Sequence, residues 1–541
     1  MSELFEKRAD GSRRREVRNR KENRIKRKRK IITMSVTGAL VLAFAAALFI
    51  NSNYIRRALP AISIGGVSFS AVEFDYFYNN AYMEYSGWVE EQFGEMVQYY
   101  DNIMPSNDLP LSAQVYNFDT GETWADFFVE RAIANMTELV RYYNAAGVAG
   151  FVIPPEGIAQ VDMSVSSIME EARYYSGLYP QQYPSAEVYL HAMFGSSMNE
   201  RSLRKIMMFV QKAVSYGESM RGAFTDTLSA EQLDNYYNEN RDQLDVFSFR
   251  ALLVTPDIMN SDSFDSDEDY AIAEAAALSL AGARAREIAE GIVTEEDFIA
   301  AAFEYDPYEY PNPSSSRIDL LGEQMTEEFE PWLMGGETLE YGSITTIDSP
   351  YGTFVAFFIE RSDNNYHTVA MRQVLILRDD IDPSGFEEGE EDPEYLMLLQ
   401  SLEEEASFRA QEAYDLFVNG GATEELFLEL IDYYSADNIE GGYYDRMSKF
   451  MYEGQSLYAM KVVSEIEDWL FAPGRAYGDF ELIHTEAYGY HLVFFMGFGE
   501  RMRDIIATDR LSSVAFAEWG ESLPHPGDSK RHWAFMFTLV R

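Results

Sequence analysis

Between Trp124 and Tyr143 the apolar residues Trp124, Phe127, Phe128, Met136, Leu139, Val140 and Tyr143 recur at three- and four-residue spacing. That spacing gathers side chains on one face of a helix. The stripe ends near Gly147 and predicts a helix over the stretch. Upstream, "PAISIGGVSFSAVEFDYFYNNAYMEY" reads as a short strand, a Gly-Gly turn and a helix from about Ala71. Ser229 and Gln232 have capping-box spacing and predict another helix start. Residues 58–245 therefore read as a largely helical module. Its stripes fit either a plain helical core or a groove open to a partner.

Past Asp245 the chain changes character and then repeats itself. "FSFRALLVTPD" at 247–257 has a counterpart in "VAMRQVLILRDD" at 369–380, each a strand entering a polar loop. An acidic loop, an Ala- and Glu-rich helix and a shorter helix follow both. Later, "PWLMGGETLEYG" matches "DWLFAPGRAYGD", and "SPYGTFVAFFIE" matches "EAYGYHLVFFMG". Correspondence in this order indicates two copies of one β-α-α-(α)-β-β unit, 246–362 and 367–499. The remainder, 500–541, reads as a helix and a last strand, "WAFMFTLV".

The first thirty residues form a basic tail, and "IITMSVTGALVLAFAAALFI" at 31–50 carries no charge. A run of about 20 apolar residues is long enough to cross a bilayer as a helix. The Lys and Arg excess before it keeps the N-terminus cytoplasmic. A cleaved signal peptide is the competing reading of the same run. On the anchor reading the protein is single-pass in the cytoplasmic membrane, its bulk extracytoplasmic, periplasmic or extracellular.

The formal charge is −47, and since the head is basic, everything after it is more acidic still. An acidic surface repels phosphate backbones, which excludes nucleic acid as the partner of the body. With no cysteine in the chain, disulfides, thiolate nucleophiles and cysteine-held zinc are excluded. No HExxH, Gly-rich phosphate loop or GxSxG appears. The acidic loops at 261–269 and 387–392 lack the ligand spacing of a calcium loop and read as solvated. No metal or cofactor is expected.

The layout resembles the parvulin-type peptidyl-prolyl isomerases, in the tethered or secreted foldase arrangement of the SurA/PrsA/PpiD group. "ISIGGVSFSAVEFDYFY" looks like the opening of their helical chaperone module, and "EQLDNYYNENRDQLDVFSFRALLV" like the approach to a parvulin domain. "YYSADNIEGGYY" and "YGYHLVFF" are similar to the parvulin signature and its last strand. Joined to the hydropathy, the resemblance implies an α+β chain. Its parts are one N-terminal transmembrane helix, a helical SurA-N-like chaperone module, two tandem parvulin-like domains and a C-terminal helix and strand.

The resemblance also implies site residues. The family's first-strand histidine falls on Ala251 in copy one and Gln373 in copy two; its last-strand histidine falls on Phe354 and His491. Its Cys-or-Asp position falls on Asp306 and Asp437. The apolar proline pocket falls on Met325 and Phe329, and on Val462 and Ile466. His491, Asp437 and Gln373 are thus the candidate catalytic groups and the other four the candidate substrate contacts. For His491, a structural imidazole bonded to a neighbouring strand fits the residues equally well. Asp437 also fits a turn cap. The implied activity is prolyl cis-trans isomerisation on X-Pro segments of unfolded or exported clients. The alternative is a non-catalytic holdase whose degenerate parvulin domains clamp peptide.

Overall fold

Gly65 and Gly66 adopt φ of 54° and 83°, the pair of left-handed conformations that a two-residue hairpin turn demands. They join β1 (Pro60–Ile64) to β2 (Val67–Ser70). The computed structural model describes residues 53–94, 102–258, 263–382, 392–453, 458–485 and 488–539, apart from isolated positions within those spans, and a few single residues outside them. They fall into two compact units, Met1–Ala223 with Phe516–Arg541, and Phe224–Ala515.

In the first unit, Ser70 and Thr123 each close a capping box, with Glu73 and Asp126, and so start α1 (Ala71–Phe93) and α2 (Trp124–Val148). The α2 stripe turns inward: Trp124, Phe128, Met136 and Val140 are buried with Phe74 of α1 in one core. Further helices, α3 (Pro155–Leu178) and α4 (Glu200–Asp226), add to it. The last stretch departs from expectation. Lys530–Arg531, not the apolar run after it, pairs with β1. Trp533–Phe537 is a 3₁₀ turn instead. With the β1 edge taken, the chain turns after His532, and Phe535 packs against Phe74 with ring centroids 5.0 Å apart.

The second unit contains two sheets built on one plan. The first is β3 (Val246–Val254), α5 (Asp267–Gly291), α6 (Glu295–Tyr305), β4 (Arg317–Leu321), α7 (Glu330–Leu333), β5 (Ile344–Ser349) and β6 (Gly352–Ser362). The second is β7 (His367–Ile376), α8 (Pro393–Asn419), α9 (Glu424–Tyr434), β8 (Tyr443–Ser448), α10 (Ser464–Leu470), β9 (Phe480–Thr485) and β10 (Gly489–Arg501). Strand order is β4-β3-β6-β5 in one and β8-β7-β10-β9 in the other, all antiparallel. Two short strands, Tyr452–Glu453 and Tyr458–Lys461, extend the second beyond β8.

Alternation along the central strands separates two faces. One face of each sheet packs on its long helices. Leu252, Val254, Val355 and Phe357 meet Ala285 and Phe298 in the first. Val374, Ile376, Leu492 and Phe494 meet Phe417 and Phe427 in the second. The opposite faces carry Phe249, Ala251 and Ala356, and Met371 and Val493. A further apolar cluster, with Leu244, Leu321, Phe450, Ile505 and Ile506, and the Lys461–Asp319 ion pair (2.7 Å) tie the two sheets together.

One expectation is corrected. Among the described residues no helix is long and apolar enough to cross a membrane. Crossing needs about 20 consecutive apolar residues. The long described helices instead carry charge throughout, as in "ERSLRKIMMFVQKAVSYGESMRGAFTD" of α4. The predicted transmembrane segment, 31–50, lies outside the described residues except for Met34, Ser35, Thr37 and Val41. The single-pass membrane fold is therefore unsupported, and with it the membrane localisation and extracytoplasmic bulk that rested on it.

Candidate functional site

β7 and β10 lie side by side at the centre of the second sheet, with Val493 opposite Gln373 and His491 opposite Leu375. Gln373 and His491 therefore project from the face that carries Met371 and Val493, away from the long helices. His491 Nδ1 stands 3.1 Å from Gln373 Oε1, and its Nε2 stands 3.0 Å from Thr485 Oγ1. The Gln373 amide nitrogen donates to Asp437 Oδ2 at 2.9 Å and to the Tyr444 hydroxyl at 2.8 Å. Tyr444 in turn donates to Asp437 Oδ2. Three residues distant in sequence thus meet in one hydrogen-bonded chain, extended at both ends by hydroxyls.

The chemistry of the partners fixes its polarity. A carboxylate only accepts, so the Gln373 nitrogen faces Asp437 and its oxygen faces His491. That oxygen only accepts as well, so the imidazole is the Nδ1–H tautomer and its Nε2 takes the Thr485 proton. Local structure holds each member. Asp437 follows α9 in an Asx turn, its Oδ1 accepting from Ile439 N at 3.1 Å. The β9–β10 hairpin closes at Gly489, whose φ is 95°. A Cβ there would meet the Ile376 carbonyl oxygen at 2.7 Å.

Exposure divides the chain of groups in two. His491, Gln373 and Thr485 are 4%, 7% and 2% exposed, whereas Asp437 and Tyr444 are half-buried. Burial pushes the His491 imidazole down to about 4, so it is neutral near pH 7. Burial alone would raise the Asp437 carboxyl. Hydrogen bonds from Tyr444, Gln373 and the backbone outweigh it and hold the group below the usual carboxylate range. Tyr444 is raised by burial and by the adjacent Asp437. The arrangement is a neutral, dry inner half that orients an ionised, solvent-facing outer half.

The four residues expected as pocket walls stand outside this hydrogen-bonded chain. Val462 and Ile466 are buried in the apolar cluster of the same sheet face, with Met371, Val493 and Phe495. In the first sheet, Ala251 pairs with Ala356 and Phe354 with Leu253, the registers held by Gln373 and His491 in the second. There Met325 and Phe329 pack with Phe249, Ala251 and Phe354; the Phe329 ring lies 4.9 Å from Phe249 and 5.0 Å from Phe354. No side chain at those two registers can hydrogen-bond. Asp306 lies at the end of α6 and accepts from Tyr308 N and Glu309 N. Its counterpart at the end of α9 is Ser435, not Asp437.

Sequence reasoning missed Thr485 and Tyr444, and it missed a repeated ionic triad. Arg250 Nε meets Glu295 Oε1 at 2.8 Å, and Tyr341 donates to Glu295 Oε2 at 3.2 Å. Arg372, Glu424 and Tyr477 repeat this at 2.9 and 2.6 Å. The signal was present in the paired stretches "FRAL" and "MRQV", "TEED" and "TEEL", and "EYG" and "AYG".

Comparison with known proteins adds little. No family model and no curated protein matches the chain. Among solved structures it is similar to the peptidylprolyl isomerase PrsA from Bacillus anthracis, at 16% identity over 50% of this chain and 97% of that one, with a TM-score of 0.19. A TM-score that low does not establish a shared fold.

Proposed function

We propose that this chain is a foldase that holds unfolded polypeptide and that its second sheet unit, 367–499, turns X–Pro bonds. The reading rests on one observation: Gln373, Asp437 and His491 converge on a single sheet face in a continuous hydrogen-bonded chain. Rotating a prolyl amide needs no nucleophile. Its barrier, about 18–20 kcal/mol, reflects the double-bond character of C–N. That character places negative charge on the carbonyl oxygen of the planar amide. An ionised Asp437 beside that oxygen disfavours the planar form relative to the twisted one, and a thousandfold acceleration requires only about 4 kcal/mol. Asp437 and Tyr444 are the groups within reach of substrate. Gln373, His491 and Thr485 hold them in place. Solvent-facing apolar neighbours of Val462 would seat the proline ring.

The first unit of the pair supports the non-catalytic alternative for itself. With Ala251 and Phe354 at the matching registers, and Met325 and Phe329 beside them, its face offers apolar contact at these positions, suited to holding a segment without turning it. The test measures cis-to-trans relaxation of a proline peptide and aggregation of an unfolded client, with the full chain and with Asp437→Asn. Acceleration by the wild type, lost in the variant while aggregation is still suppressed, supports turnover. Suppression without any acceleration leaves the holdase alone. Neither effect refutes both.

A further inference from the structure

The first unit contains a half-open cavity of about 330 Å³ that no part of the isomerase reading uses. Its floor is aromatic and branched aliphatic: Phe69, Phe77, Tyr143, Ile206 and Phe209. The rings interlock, with Phe69 and Phe209 centroids 5.2 Å apart and Tyr143 and Phe209 4.8 Å apart. Three charged groups stand around this floor, Glu73, Lys205 and Lys212. Two of them neutralise each other, since Lys205 Nζ lies 2.6 Å from Glu73 Oε1. The other Glu73 oxygen accepts from Ser70 N at 2.7 Å, so that carboxylate is fully used by the start of α1. Lys212 has no such partner among the described residues. Its ammonium sits over the Tyr143 ring, 5.0 Å from the centroid.

A half-buried cation without a carboxylate is unusual in a chain of formal charge −47, where acidic partners are plentiful. It stands on the ring that continues the apolar floor, so one small ligand can touch both. The volume is at the low end for small-molecule sites, which favours a compact ligand over a multi-residue segment. We propose that this cavity binds a small apolar monocarboxylate of the medium-chain fatty-acid class, its tail on the aromatic floor and its carboxylate against Lys212. The charge-assisted contact sets the selectivity and the rings supply the binding surface.

Calorimetric titration of the full chain with octanoate, with 1-octanol and with a short peptide ending in phenylalanine tests this. Octanoate is expected to bind saturably at one site per chain, and 1-octanol about tenfold more weakly for lack of the charge. Lys212→Gln should weaken octanoate about tenfold and leave 1-octanol unchanged, the latter showing that the cavity is still folded. Three results overturn the proposal: no saturable octanoate binding at about 1 mM, equal binding of acid and alcohol, or displacement of octanoate by a tighter-binding peptide end, which would make the cavity a chain-terminus site.

Discussion

Acidification should destabilise the second unit through His491 alone by an amount the site geometry fixes. The imidazole is 4% exposed, with both nitrogens bonded to neutral partners, Gln373 Oε1 and Thr485 Oγ1. The carboxylates of Glu465 and Asp437 favour a positive charge there, but burial outweighs them. Burial lowers its folded value from 6.5 to about 4. A group depressed on folding binds more protons when unfolded, so its stabilising contribution is complete above pH 6.5 and disappears as pH falls toward 4. Over the whole window this amounts to about 3 kcal/mol, and between pH 7.5 and 5 to about 2 kcal/mol. The assay is urea unfolding of the full chain and of His491→Gln at both pH values, following the transition that the substitution shifts. Groups elsewhere cancel in the difference. Asp75, buried in the first unit and raised to about 7, is one such group and runs the opposite way. The stability advantage of wild type over His491→Gln should be about 2 kcal/mol smaller at pH 5 than at pH 7.5. An unchanged difference would refute the buried, neutral imidazole and the hydrogen-bond polarity derived from it.

Three further outcomes follow from the sheets. Glu295→Gln should destabilise by about 3 kcal/mol in urea unfolding, since it strands a buried guanidinium; Arg250 is only 6% exposed at its side chain. Glu424→Gln should cost less, because the Arg372 side chain is 16% exposed and its charge is better solvated. Gly489→Ala should destabilise by about 1–3 kcal/mol, through the left-handed φ and the clash with the Ile376 carbonyl. The same denaturation checks it, and the His491 ring proton shifts should move with it.

Local signals in the sequence translated well into elements. The helix start at Ala71, the Gly65–Gly66 turn and the Ser229–Gln232 capping box all stand where spacing put them. These depend on contacts within a few residues. The paired stretches after Asp245 likewise match two sheets of one strand order. What stayed hidden depends on register. Whether Thr485 and Tyr444 reach His491 and Gln373 is decided by the pairing of β9, β10, β7 and β8, which no spacing along the chain states. Val462 and Ile466, expected as pocket walls, are buried with Met371, Val493 and Phe495, Ile466 on α10 itself, a packing that spacing along the chain does not state. "WAFMFTLV" had strand composition, but Lys530–Arg531 already occupied the β1 edge, and the chain turned after it. The uncharged run at 31–50 predicted a spanning helix, but the described residues give that fold no support.

The proposal that one sheet of the pair turns prolyl bonds is tested most directly by exchange spectroscopy on a proline peptide at equilibrium. The line-exchange rate is read with wild type, Gln373→Leu and Phe354→Leu. Gln373→Leu cuts the link between His491 and Asp437, whereas Phe354→Leu alters the matching register of the other sheet. The account predicts acceleration by wild type and Phe354→Leu, reduced at least about tenfold in Gln373→Leu, a loss of about 1.4 kcal/mol in transition-state stabilisation. Equal rates for wild type and Gln373→Leu, or no acceleration by any of the three, would contradict it.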